Sequence, residues 1–67
     1  MSGILTEREK KVFELLIFGL DTKEIGEELG ISDKTVRNHI SNVIQKLGVN
    51  GRVSAVVELL KLGEISF

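Results

Sequence analysis

Two helical patterns in this chain meet across only four residues, Leu29-Gly30-Ile31-Ser32, and that brevity restricts the fold more than any other feature. Gly30 is the residue type that ends a helix in a left-handed turn, and Ser32 is a strong N-cap for the next helix. Ile31 between them is apolar and is expected to plug the corner. Helices joined so tightly cannot drift apart; they must cross and pack. Before the corner, Thr22 to Leu29 reads as a helix with Thr22 as its N-cap, and Ile25 and Leu29 share its inward face. Gly26 lies inside this helix, where glycine costs about 0.5–1 kcal/mol relative to alanine. Close approach of another helix at this point accounts for it.

After the corner, the helix 32–47 has two unlike faces. At about 100° per residue, Val36, Ile40, Val43 and Leu47 fall together, with Ile44 beside them. Opposite lie Lys34, Arg37, Asn38, Ser41 and Gln45: two cations, three hydrogen-bonding groups and no acid. Asp33 belongs to the first turn, where it favours the positive end of the helix dipole. Gly48 supplies the stop. The polar face carries the side-chain types that reach phosphates and base edges in a DNA major groove.

Charge along the chain supports that reading. The net charge is −1. Residues 1–30 carry four cations and seven acids (−3), residues 31–52 four cations and one acid (+3), and residues 53–67 one cation and two acids (−1). A basic patch on an acidic body still attracts phosphate, because attraction follows the local footprint.

The rest of the chain is punctuated by glycine. There is no proline, and Gly19, Gly30, Gly48 and Gly63 each follow a helical segment, where left-handed caps are expected. The first segment, Thr6 to about Phe18, opens with a capping box of Thr6 and Glu9. Leu5 is expected to enter the core. Val12, Phe13, Leu16 and Ile17 form the expected buried stripe, which leaves Leu15 and Phe18 as surplus apolar surface. The last segment runs from about Gly51 to Leu62. Asn50-Gly51 fits a type I′ hairpin turn or a helix start with Asn50 as N-cap; the flanks lack strand alternation, which favours the helix. Seven of the ten residues from Val53 to Leu62 are apolar, too many for one stripe. A helix so apolar is covered on more than one side. In so small a domain the second cover must come from a partner chain. The tail, Glu64-Ile65-Ser66-Phe67, is expected to pack loosely.

Several function classes find no support. The 67 residues make one domain, too small for a deep pocket. The absence of Cys and the single His leave no disulfide and no ordinary zinc site. No nucleophile–base pair, paired carboxylates or phosphate loop is present, so neither a catalytic residue nor a cofactor is expected. No apolar run approaches membrane length and no signal peptide is visible, so a cytoplasmic location and no membrane partner are expected.

The motifs together resemble a known family. Leu5-Thr6-Glu7-Arg8-Glu9, Thr22-Lys23-Glu24-Ile25, the run Ser32 to Asn42, Lys46-Leu47-Gly48-Val49 and Gly51-Arg52 look like the LuxR-type helix-turn-helix domain, the output module of NarL/FixJ response regulators. The likeness covers nearly all of residues 1–67. It is strong toward a one-domain member that regulates late spore-coat genes, through Lys34 to Asn42, Gln45 to Val49 and Ala55 to Leu60. The resemblance implies an all-α, four-helix domain with its helix-turn-helix at about 22–41. It implies double-stranded DNA as partner, a homodimer formed through the helix at about 51–62, and RNA polymerase as a further partner. By position, Arg37, Asn38 and Ser41 match base-reading places. Thr22, Lys23, Ser32, Lys34, Thr35, His39, Lys46 and Arg52 match places near phosphates, and Asn42 and Gln45 complete the candidate DNA surface. Val53, Val57, Leu60 and Lys61 are the candidate dimer contacts. Asn38 and Ser41 stand where some members carry a hydrophobe and a lysine, so a base preference does not transfer. Gly26 stands where alanine is usual.

Plainer readings compete at individual residues. Asn38 suits adenine or a phosphate equally. Ser32 is first a cap; the amides it leaves exposed suit a phosphate. His39 borders the apolar stripe and is expected at the edge of the core. Lys46 and Arg52 could be solvated charges near a helix end. Glu9 reads as structural, through its capping box. The leading expectation is a homodimeric regulator reading an inverted repeat. The alternative is a helical protein-interaction module without DNA, supported by the acidic net charge.

Overall fold

A computed structural model describes residues 3–67. Four α-helices follow one another: α1 (Glu7–Ile17), α2 (Thr22–Leu29), α3 (Asp33–Leu47) and α4 (Arg52–Lys61). Strands are absent among the described residues, so the hairpin reading of Asn50-Gly51 falls. No helix among them is long and apolar enough to cross a membrane.

The caps explain most of the boundaries. Thr6 and Glu9 form the expected box: the Glu9 amide donates to Thr6 Oγ1 (3.1 Å) and the Thr6 amide donates to Glu9 Oε1 (3.0 Å). α2 differs from expectation. Its N-cap is Asp21, not Thr22: Asp21 Oδ1 accepts from the Glu24 amide (2.8 Å), and Glu24 Oε1 accepts from the Asp21 amide (2.9 Å). A carboxylate one residue earlier, with a glutamate at N3, builds a full box that Thr22 could not close. Ser32 caps α3 by accepting from the Thr35 amide (3.0 Å). α4 has no side-chain cap; Gly51 takes the position, while Asn50 Oδ1 accepts from Ser54 Oγ (3.3 Å). Gly19, Gly30, Gly48 and Gly63 all take positive φ, as their places predict. Gly48 shows the use: its left-handed turn lets its own amide and that of Val49 return to the Ile44 carbonyl (3.0 and 3.2 Å).

The core collects Leu5, Val12, Phe13, Ile25, Val36, Ile40, Val43, Ala55, Leu59 and Ile65. Ile65 corrects the loose tail: it is buried, and the Glu64 amide donates to the Leu59 carbonyl (2.9 Å), folding the tail back onto α4. Leu16, Ile17 and Leu29 pack only partly against the core. An apolar groove of about 350 Å³ lies between Leu16 and Ile17 of α1 and Val53, Val56 and Val57 of α4.

Gly26 is where the corner is tightest. A Cβ there would sit 2.6 Å from the Ile31 carbonyl oxygen and 3.4 Å from the Asp33 amide nitrogen. The close neighbour is therefore the turn itself, at the start of α3, and not the body of another helix. The Ile31 amide donates back to the Gly26 carbonyl (2.9 Å), locking α2 to the entrance of α3.

Candidate nucleic-acid interface

α3 holds Val36, Ile40 and Val43 fully in the core or nearly so, and thereby fixes what its other flank shows. Lys34, Arg37, Asn38, Ser41, Asn42 and Gln45 are all exposed on that flank. Ser32 is exposed at the head of the helix, Thr35 is half-buried beside it, and their hydroxyls share a hydrogen bond (2.9 Å). His39 is half-buried at the edge of the core, as expected. From α2, Lys23 is exposed and Thr22 half-buried; Arg52 is exposed at the start of α4. The arrangement therefore gathers exposed donors and cations on one rod of 15 residues, whose diameter of about 10–12 Å suits a DNA major groove about 12 Å wide.

Two ion pairs modify this surface. Lys46 is not a free cation: its Nζ donates to Glu9 Oε1 (2.6 Å) and to the Ile4 carbonyl (2.9 Å). Glu9 is 5% exposed, so the bond is made against the core. Burial pushes the Glu9 carboxyl up, but the Lys46 hydrogen bond, the Thr6 amide and the nearby Lys46 and His39 charges hold it below its ordinary value of 4.5. Glu9 thus has two structural roles, cap and anchor for the end of α3. The second pair changes the expected acid-free face. Arg37 Nη2 lies 3.5 Å from Asp33 Oδ2, one helical turn earlier. The spacing of an acid four residues before a base is readable in sequence. The Glu9–Lys46 pair, 37 residues apart, is not.

The candidate dimer contacts lie elsewhere, on the outer face of α4. Val53 is 78% exposed and Val57 46%; Lys61 is exposed and Leu60 half-buried. Val53, Val56, Val57 and Phe67 continue into the groove beside Leu16 and Ile17. Of the two surplus residues of the first segment, Phe18, the C-cap of α1, is 84% exposed, whereas Leu15 is half-buried against the core. No group of His, Cys, Asp or Glu that could hold a metal is present among the described residues.

Known proteins resemble this chain in sequence and in shape. Residues 3–59 match the family described as bacterial regulatory proteins, luxR family. The spore germination protein GerE of Bacillus subtilis is 66% identical over 62 residues, which are 92% of this chain and 84% of that protein. The transcriptional regulatory protein DegU of Brevibacillus brevis is 53% identical over 60 residues; the match takes in 90% of this chain but only 25% of DegU. A solved structure of the transcription factor GerE superposes with a TM-score of 0.94 at 59% identity, covering 96% of each chain. With two of four helices committed to a tight corner, one polar flank turned outward and a family match over most of its length, the chain belongs to the luxR family of bacterial regulatory proteins.

Proposed function

We propose that this DNA-binding transcription regulator reads an inverted-repeat promoter site as a homodimer, with α3 of each subunit in the major groove. The observation that carries the reading is the division of α3. Val36 and Val43 are wholly buried, while Lys34, Arg37, Asn38 and Ser41 stand exposed on the opposite flank. Arg37 reads a base, since bidentate arginine to guanine is the commonest specific contact. Asn38 and Ser41 contact neighbouring bases or phosphates. Lys23, Lys34, Arg52 and the head of α3 around Ser32 hold the phosphates that fix the register. Lys46, though matched to the phosphates by position, is neutralised by its bridge to Glu9 and serves to fix the end of α3.

Dimerisation uses Val53, Val57, Leu60 and Lys61 on α4. A dimer paired through α4 is expected to present its two α3 helices about 34 Å apart, one turn of DNA. The high identity to a spore germination protein supports a role in sporulation. Promoter binding in the cytoplasm beside RNA polymerase follows from the same reading. Selection of bound duplexes from a random pool tests it. An inverted repeat with half-sites about one turn apart is expected. A single half-site, or no enrichment, would contradict it. A pure protein-interaction module would show no salt-dependent affinity for duplex DNA.

A further inference from the structure

We propose that Asp33 is a positioning residue for base reading: its carboxylate holds the Arg37 guanidinium over the outward flank of α3, reserving it for a base and withholding it from phosphates. The proposal rests on the reading of α3 as the helix that enters the major groove.

Three observations carry it. Asp33 and Arg37 stand four residues apart, acid first, with Oδ2 3.5 Å from Nη2. Both side chains remain accessible, Arg37 at 57% and Asp33 at 41%, so the pair lies where a ligand of this flank would meet it. The carboxylate is not spent on capping. Ser32 Oγ takes the Thr35 amide, and Asp33 Oδ1 is buried without a hydrogen-bond partner. The tie to Arg37 is made through the remaining oxygen.

The chemistry gives the pair a purpose. A guanidinium has five N–H donors in a fixed fork. One edge can serve Asp33 while another serves O6 and N7 of a guanine. An arginine that swings to a phosphate abandons Asp33, leaving an uncompensated carboxylate beside a polyanion. Asp33 thus penalises the indiscriminate pose more than the base-reading one, which is specificity by an added repulsion. In the free protein the exposed pair contributes little. Docking excludes water and strengthens the interaction. The effect therefore belongs to discrimination between sequences.

The test compares the wild type with Asp33→Asn, Asp33→Glu, Arg37→Ala and the double variant Asp33→Asn/Arg37→Ala. The probes are the selected duplex, its single-base variants and a random duplex at fixed salt. Asp33→Asn is expected to bind the random duplex more tightly. It is also expected to lose about threefold or more of the discrimination at one base pair, the one where Arg37→Ala relaxes preference. Asp33→Glu restores that discrimination. In the Arg37→Ala background, Asp33→Asn leaves discrimination unchanged. A loss of helix-dipole stabilisation would instead lower the thermal midpoint and weaken all duplexes alike. The inference is overturned if Asp33→Asn keeps full discrimination, loses it equally at every position, or acts just as strongly without Arg37. A wild type that prefers no duplex would instead overturn the reading of α3 itself, and this inference with it.

Discussion

α3 and α4 both present to solvent a face that the core does not use, and the two faces are opposites. α3 turns outward cations, amides and hydroxyls; α4 turns outward Val53 and Val57. The inward sides are alike: Val36, Ile40 and Val43 from one helix, Ala55 and Leu59 from the other, meet in the same core. The difference teaches how a domain of this size divides its work. It buries too little surface to cover every apolar residue. The leftover apolar face suits a second copy, and the polar face suits a wet, charged ligand.

The comparison breaks most sharply on α4. Val57→Asp puts a charge on the exposed apolar face without opening the core. Sedimentation should find a monomer, and affinity for the inverted repeat should fall about a hundredfold or more as the gain from bivalency disappears. Helical content by circular dichroism should stay that of the wild type. A variant that still dimerises would move the subunit contact away from Val57.

On α3, Arg37→Ala should cost about 1–3 kcal/mol in binding the selected site and relax preference at one base position. Equal weakening on every duplex would reassign Arg37 to the phosphates. Glu9→Gln sharpens the contrast from the core side. It leaves Lys46 an amide oxygen but removes the negative charge that pairs with it, and should lower folding stability by about 1–2 kcal/mol in denaturant titration. Discrimination between duplexes should survive at temperatures where the variant is folded. Because the Glu9 carboxyl is held below its ordinary 4.5, its contribution is complete above that pH and is lost as the pH falls through the lower folded value. The wild-type thermal midpoint should therefore converge on that of Glu9→Gln in acid. The smallest effect belongs to Lys34→Ala, which should weaken all duplexes by less than about 1 kcal/mol and reduce the salt slope by about one.

Much of this was legible in the sequence because the signals are local. The caps of α1 and α3, the glycine stops and the apolar stripe of α3 lie within a few residues of what they control, and the structure keeps them. Two local signals misled. Thr22 is an acceptable cap, but Asp21 with Glu24 closes a better box. Asn50 is a good cap type, yet its side chain takes the Ser54 hydroxyl and leaves the position to Gly51. What escaped was long-range. Nothing near Lys46 announces that Glu9 and the Ile4 carbonyl will tie it down. Nothing near Ile65 announces that the tail turns back into the core. The Asp33–Arg37 pair was within reach of a spacing argument, and it changes an acid-free flank into one with a carboxylate at its head.

DNA recognition here requires α3 to meet the duplex with its outward flank. A titration of the selected duplex into isotope-labelled protein, followed by amide and side-chain NMR, examines that contact residue by residue. The largest shifts should fall on Lys34, Arg37, Asn38, Ser41 and Gln45, including the Arg37 guanidinium and the Asn38 carboxamide, while the buried Val12 and Phe13 of α1 stay still. Shifts gathered on α1 and α2, with the α3 flank unmoved at saturation, would contradict it.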